Sequence, residues 1–192
     1  ISEFLRILKV SDPIILKENI DSYRDKINSF LNINKNKKIV ISDEWLFGTS
    51  WQNFYNSYST AKFLNYLFPG SKILYIIRRQ DDWCESVYNQ VIKNGFSMSP
   101  NKFFSFYNSK FYLSDDNYSP FVNVSQLDYL KKINFYEKEF GNKNILVLPF
   151  ESIKDNGIIF YEKISNFIDL KINKKTKIKK SNSNQSINIY TY

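Results

Sequence analysis

Three short runs along the chain are apolar almost throughout: Lys38–Ser42 (KIVIS), Lys72–Ile77 (KILYII) and Asn144–Leu148 (NILVL). Continuous apolar character, rather than alternation, predicts strands buried on both faces of a parallel sheet. Between the runs, apolar positions recur with a helical period. Phe54, Tyr58, Ala61 and Leu64 are spaced by four, three and three, and Pro69-Gly70 ends the pattern before the second strand. Trp83, Val87 and Val91 repeat every four residues behind Asp81 and Asp82, acids that suit a helix N-terminus. Tyr129, Ile133, Tyr136 and Phe140 predict another helix, with Gly141 as its left-handed cap. Phe160, Ile164 and Phe167 mark a last one, and an early one is expected over Asp21–Leu31. Strands alternating with helices of this length predict right-handed crossovers in an open, doubly wound α/β domain.

Two segments break the alternation. Residues 95–124 mix Ser, Asn, Pro and aromatics, with a short helical stretch near Lys102–Tyr107. They read as a surface insertion of the kind that covers the ligand crevice at the carboxyl ends of the strands. Residues 171–192 form a basic, polar tail without apolar periodicity.

Composition bounds the chemistry. At 192 residues the chain is one ordinary domain, and with 43% hydrophobic and 18% aromatic residues it can bury a proper core. A net charge of +8 suits an anionic partner, although a solvated basic surface explains it equally well. There is no His and a single Cys, Cys84. That excludes Ser-His-Asp and Cys-His nucleophile systems, HExxH zinc sites and CxxC pairs within these residues. A proton acceptor must then be Asp, Glu, Lys or Tyr. One Cys permits no internal disulfide, which favours a reducing, cytoplasmic compartment. No apolar run reaches the ~18 to 20 residues of a membrane span, and nothing at the start resembles a signal peptide.

Candidate chemistry concentrates where the second run ends. Arg78 leaves that strand, and Ser86 follows eight residues later in the next helix. The two side chains can converge on one phosphate, guanidinium as charged fork and hydroxyl as short donor. Equally, Arg78 could pair with a neighbouring acid while Ser86 faces water.

The stretch from Pro69-Gly70-Ser71-Lys72 through Arg78-Arg79-Gln80-Asp81-Asp82-Trp83 to Ser86-Val87-Tyr88 resembles the 3′-phosphate motif of sulfotransferases that use 3′-phosphoadenosine 5′-phosphosulfate (PAPS). Ile41-Ser42-Asp43-Glu44 is similar to the SDE-bearing strand end of bacterial members, and Phe140–Glu151 to a later stretch of the same proteins. Lys179-Lys180-Ser181-Asn182 sits where the family has a basic, Ser-containing terminal loop. Order and spacing agree over about residues 38–185. The resemblance implies an open parallel sheet flanked by helices, of the P-loop-NTPase-like type.

Two departures qualify it. The family begins with a strand and a Gly/Ser/Thr-rich loop that cradles the 5′-phosphosulfate, and residues 1–37 contain neither. Because that strand is central in the family's sheet, the expectation is that a longer protein supplies it ahead of Ile1. The second departure is the absent His, which many members use as base. Glu44 is then the preferred base, with Asp43 the runner-up; alternatively both acids merely cap or salt-bridge the following segment. Glu151 reads instead as a strand-end acceptor for backbone donors.

The resemblance thus implies sulfuryl transfer from PAPS to an acceptor hydroxyl of a glycan or other carbohydrate, leaving PAP, with no metal required. Arg78 and Ser86 would hold the 3′-phosphate, Lys179, Lys180 and Ser181 would assist, and Glu44 would take the proton. A nucleotide kinase-like protein and a nucleic-acid-binding α/β module are the alternatives. No GxxxxGK[ST] occurs, and no RRM, KH or zinc signature is present.

Overall fold

The computed structural model describes residues 13–48, 54, 56–111 and 121–170. Chain contacts divide it into two compact units, one drawn from Ile1–Ser71 and Phe121–Ile145, the other from Lys72–Pro120 and Leu146–Tyr192.

The first unit is helical. It holds α1 (Pro13–Ile33), a 3₁₀ turn at Glu44–Phe47, α2 (Ser57–Leu67), a second 3₁₀ turn at Val124–Leu127 and α5 (Tyr129–Phe140). Helix α2 is its centre, touching α1, α5 and the first 3₁₀ turn. Its stripe of Ala61, Leu64 and Leu67 is buried, and α5 contributes Tyr136 and Phe140 from the opposite side. Polar staples fix the packing. Tyr66 of α2 donates to Asp21 of α1 at 2.8 Å, and the Arg24 guanidinium lies 4.6 Å from the centre of the Tyr66 ring. Asn65 Nδ2 donates to the Glu139 carbonyl at 2.7 Å. Helix α5 starts where Asp128 accepts from the Lys131 amide at 3.1 Å, satisfying one of the orphan donors of the first turn. It ends at Gly141, whose φ of 85° fits the expected glycine stop. The ψ of 139° departs from a left-handed cap, and a 3₁₀ turn at Asn142–Asn144 follows directly.

The second unit holds β1 (Ile73–Ile77), α3 (Gln80–Lys93), α4 (Pro100–Phe104), a hairpin of β2 (Phe106–Tyr107) and β3 (Lys110–Phe111), and α6 (Ser152–Phe167); β4 (Ile145–Pro149) belongs to it from Leu146 onward. Strands β1 and β4 pair in parallel, and the Phe150 amide prolongs the ladder by donating to Ile77 O at 2.7 Å. Lys72 anchors the strand's entry to the end of α6, donating to Phe167 O and pairing with Asp169, both at 2.6 Å. Asn156 (φ −154°, ψ 85°) interrupts α6, and its side chain accepts from Ile159 N at 3.2 Å, capping the longer piece.

Three expectations from the sequence need correction. Lys38–Ser42 forms no strand; it is extended chain with Val40 74% exposed. Apolar content alone makes no strand, because the backbone donors and acceptors need a ladder partner. Strand β1 is not buried on both faces: Tyr75 is buried, while Leu74 and Ile76 on the opposite face are 37% and 43% exposed. Among the described residues it has a neighbour on one edge only. The helix near Lys102–Tyr107 lies earlier, over Pro100–Phe104, because Ser99 caps it and Ser105 ends it at φ 48°. Asn108 and Ser109, both at positive φ, then make the tight turn that pairs Phe106 with Phe111. Residues 112–120 of the expected insertion and the tail at 171–192 lie outside the described residues.

Candidate functional site

The exit of β1 is built by three side chains with separate tasks. Glu151, at the start of α6, accepts from the Arg79 amide at 3.0 Å and so ties the chain just after β1 to the chain just after β4. That bond is the main reason its carboxyl is held below the usual carboxylate range, with the charges of Arg78 and Arg79 adding to it. The strand-end acceptor role expected of Glu151 is the one it has. Arg79 forks onto Asp81, Nε to Oδ1 at 3.2 Å with the second nitrogen on Oδ2, which lowers the Asp81 pKa. The acid beside the strand exit is therefore occupied by Arg79, not by Arg78.

Arg78 is half-buried and lies 5.7 Å from the centre of the Phe150 ring. Its Nε is buried without a hydrogen-bond partner among the described residues. A guanidinium lying over an aromatic ring keeps its planar fork of terminal N–H donors, the geometry that suits an oxyanion. Ser86 is exposed in the second turn of α3, the helix that follows directly. Cys84, on the same helix, is half-buried, and burial pushes its thiol pKa up, with Asp81 adding to the effect. Such a thiol is a poor nucleophile at neutral pH.

A structure search finds a crystal structure of a sulfotransferase from Alicyclobacillus acidocaldarius, with a TM-score of 0.50 and 16% identity. The match covers 70% of this chain and 52% of that one, so the chain spans about half the length of the protein it matches. At that identity the likeness is one of fold: a mixed α/β arrangement with a small parallel sheet and flanking helices. No protein-family model matches the chain, and no curated protein does.

The other expected site residues fall in different places. Asp43 and Glu44 open the 3₁₀ turn of the first unit. They follow extended chain rather than a ladder strand. Tyr136 of α5 steadies this turn: its hydroxyl lies 3.4 Å from Leu46 O and its ring stacks on Phe47 at 5.9 Å. Burial raises the Tyr136 pKa well above that of a free phenol. Lys179, Lys180 and Ser181 lie outside the described residues. Among the described residues no helix is long and apolar enough to cross a membrane, and no group of three or more His, Cys, Asp or Glu could hold a metal ion.

Sequence reasoning passed over Lys132. This side chain is buried in the first unit, with Nζ 4.0 Å from the Phe54 ring centre and 4.8 Å from that of Phe47. The signal was available: Lys132 stands four residues before Tyr136 and eight before Phe140, which places it on the apolar stripe of α5.

Proposed function

We propose that this protein is a PAPS-dependent sulfotransferase acting on an acceptor hydroxyl of a carbohydrate. The observation that carries the reading is Arg78: it leaves a parallel strand, makes no ion pair within 4 Å among the described residues, has a buried Nε without a hydrogen-bond partner among them, and precedes Ser86 by eight residues. The sulfotransferase-like fold supports it.

PAPS supplies an activated sulfuryl group on its phosphosulfate. In this reading Arg78 and Ser86 grip its 3′-phosphate, while Lys179, Lys180 and Ser181 add charge and a hydroxyl to the same grip. Glu151 keeps Arg78 in register by pinning the neighbouring amide, which is positioning rather than chemistry. Glu44 accepts the acceptor's proton, and Asp43 is the second candidate. A carboxylate of ordinary pKa is a weak base at neutral pH, so the role requires that Glu44 be partly desolvated when the acceptor is bound.

Thermal shift with PAP, ADP and single-stranded DNA tests this. PAP at a hundredfold excess over its Kd should stabilise the protein by about 2.7 kcal/mol, more than ADP does. Single-stranded DNA should give only a salt-sensitive effect. Arg78→Ala should weaken PAP by the ~1.5 to 3 kcal/mol of a charge-assisted contact. Equal PAP affinity in Arg78→Ala would remove the basis of the proposal. A larger shift with ADP would favour a nucleotide kinase-like protein, and a salt-resistant shift with DNA a nucleic-acid module.

A further inference from the structure

The exit of β1 gathers two guanidiniums and three carboxylates. The charges of Arg78 and Arg79 act on Glu151, and those of Asp81 and Asp82, in the first turn of α3, act on Arg79. Two positive groups against three negative ones is a poor balance for a site whose ligand is an anion. How these charges are paired therefore decides what an incoming anion meets. The Arg79 guanidinium is already committed: Nε donates to Asp81 Oδ1 at 3.2 Å, and a terminal nitrogen donates to Oδ2. Asp81 is fixed a second time, since Oδ1 also accepts from the Asp82 amide at 3.0 Å. The Arg79 backbone is held separately, by its amide on Glu151.

We propose that Arg79 is a positioning residue of the Arg78 site: it closes Asp81 into an ion pair and so screens a carboxylate from the anion that Arg78 takes, without gripping that anion itself. This rests on the reading of Arg78 as a phosphate clamp. Asp81 follows Arg78 by three residues, so their Cα atoms are at most ~11 Å apart, close to the ~10 Å over which charges act at 0.1 M salt. An unpaired carboxylate at that range opposes the anion, whereas a paired one nearly cancels. Both partners are 64% exposed, which makes the effect modest and dependent on salt. The backbone does not depend on either side chain. Any residue at 79 brings an amide to Glu151, and Asn at 81 keeps an acceptor for the Asp82 amide.

The test is the Kd of PAP by isothermal titration calorimetry, in the native protein and in Arg78→Ala, Arg79→Ala, Arg79→Lys, Asp81→Asn and the double variant Arg79→Ala/Asp81→Asn. Near 0.01 M salt, Arg79→Ala is expected to weaken PAP about two- to fivefold, and the loss should shrink as the screening length falls toward ~3 Å at 1 M. Arg79→Lys keeps the charge and should stay within about twofold of native. Asp81→Asn should bind at least as tightly as native. The double variant leaves no acid uncovered and should recover the native Kd; a residue that gripped the anion directly would instead leave it as weak as Arg79→Ala. The inference is overturned, with Arg78 still the clamp, by any of four results: an unchanged Kd in Arg79→Ala, a loss there that salt does not reduce, weaker binding in Asp81→Asn, or a double variant or Arg79→Lys as weak as Arg79→Ala. An Arg78→Ala protein that binds PAP like the native one removes the functional reading, and this inference with it.

Discussion

Replacing Lys132 by Met should stabilise the protein at neutral pH, and the gain should disappear in alkali. The side chain is 3% exposed and its pKa is lowered from 10.5 to about 8, chiefly by desolvation. At 1.36 kcal/mol per pH unit, that displacement is at most about 3 kcal/mol of penalty on the folded state. Met forfeits the cation–π contacts with Phe47 and Phe54, about 2 kcal/mol for a desolvated pair, and recovers ~0.3 to 1.5 kcal/mol through sulfur–aromatic contact. The balance favours Met by about 1 to 2.5 kcal/mol at pH 7. The sign of the pH effect follows from proton counting. Between about pH 8 and 10.5 the unfolded lysine binds more protons than the folded one, so the native protein gains stability as pH rises. The penalty is complete below about pH 8 and absent above 10.5. Urea melts of both proteins at half-unit steps from pH 7 to 10.5, analysed for the difference in unfolding free energy, measure it directly. Tyr136, whose buried hydroxyl is held neutral, bends both curves in the alkaline range and largely cancels in the difference. A difference that is flat with pH, or a Met variant weaker by more than about 1 kcal/mol at pH 7, would show that Lys132 is not a desolvated, unpaired cation.

Glu151→Ala should lower the urea midpoint at pH 7 while Glu151→Gln, which keeps an acceptor for the Arg79 amide, should lower it less. Because the folded Glu151 pKa lies below its ordinary 4.5, its contribution is present above that value and fades as pH falls through the folded pKa, so the native and Ala proteins should converge in acid. Gly48→Ala should cost more than about 1 kcal/mol in the same melts, since φ is +102° and a Cβ would stand 3.0 to 3.1 Å from Asn56 and Ser57; an unchanged midpoint would refute the crowding. In a sulfuryl-transfer assay, Glu44→Gln should reduce turnover by ~10² to 10⁴ with PAP affinity intact, and an unchanged rate would pass the role to Asp43 or an external base.

By itself the sequence determined what local chemistry controls. Helical periodicity located α2, α3, α5 and α6, because their apolar residues repeat on one face and Pro-Gly, Gly141 and the Asp81-Asp82 pair punctuate their ends. It located β1 and β4 by their continuous apolar runs, and it singled out Arg78, Ser86 and Glu151 by their spacing from those strands. What it could not decide was which groups meet. Lys38–Ser42 carries the same apolar signature as β1, yet it is extended chain without strand structure, since a strand forms only where a second backbone completes the ladder. Arg78 and Arg79 are adjacent and chemically identical, and only the folded chain assigns Asp81 to one and leaves the other's Nε buried without an acceptor among the described residues. The spacing of Lys132 from Tyr136 and Phe140 puts it on the apolar stripe of α5, but only the fold sets its ammonium against the rings of Phe47 and Phe54, where desolvation lowers its pKa.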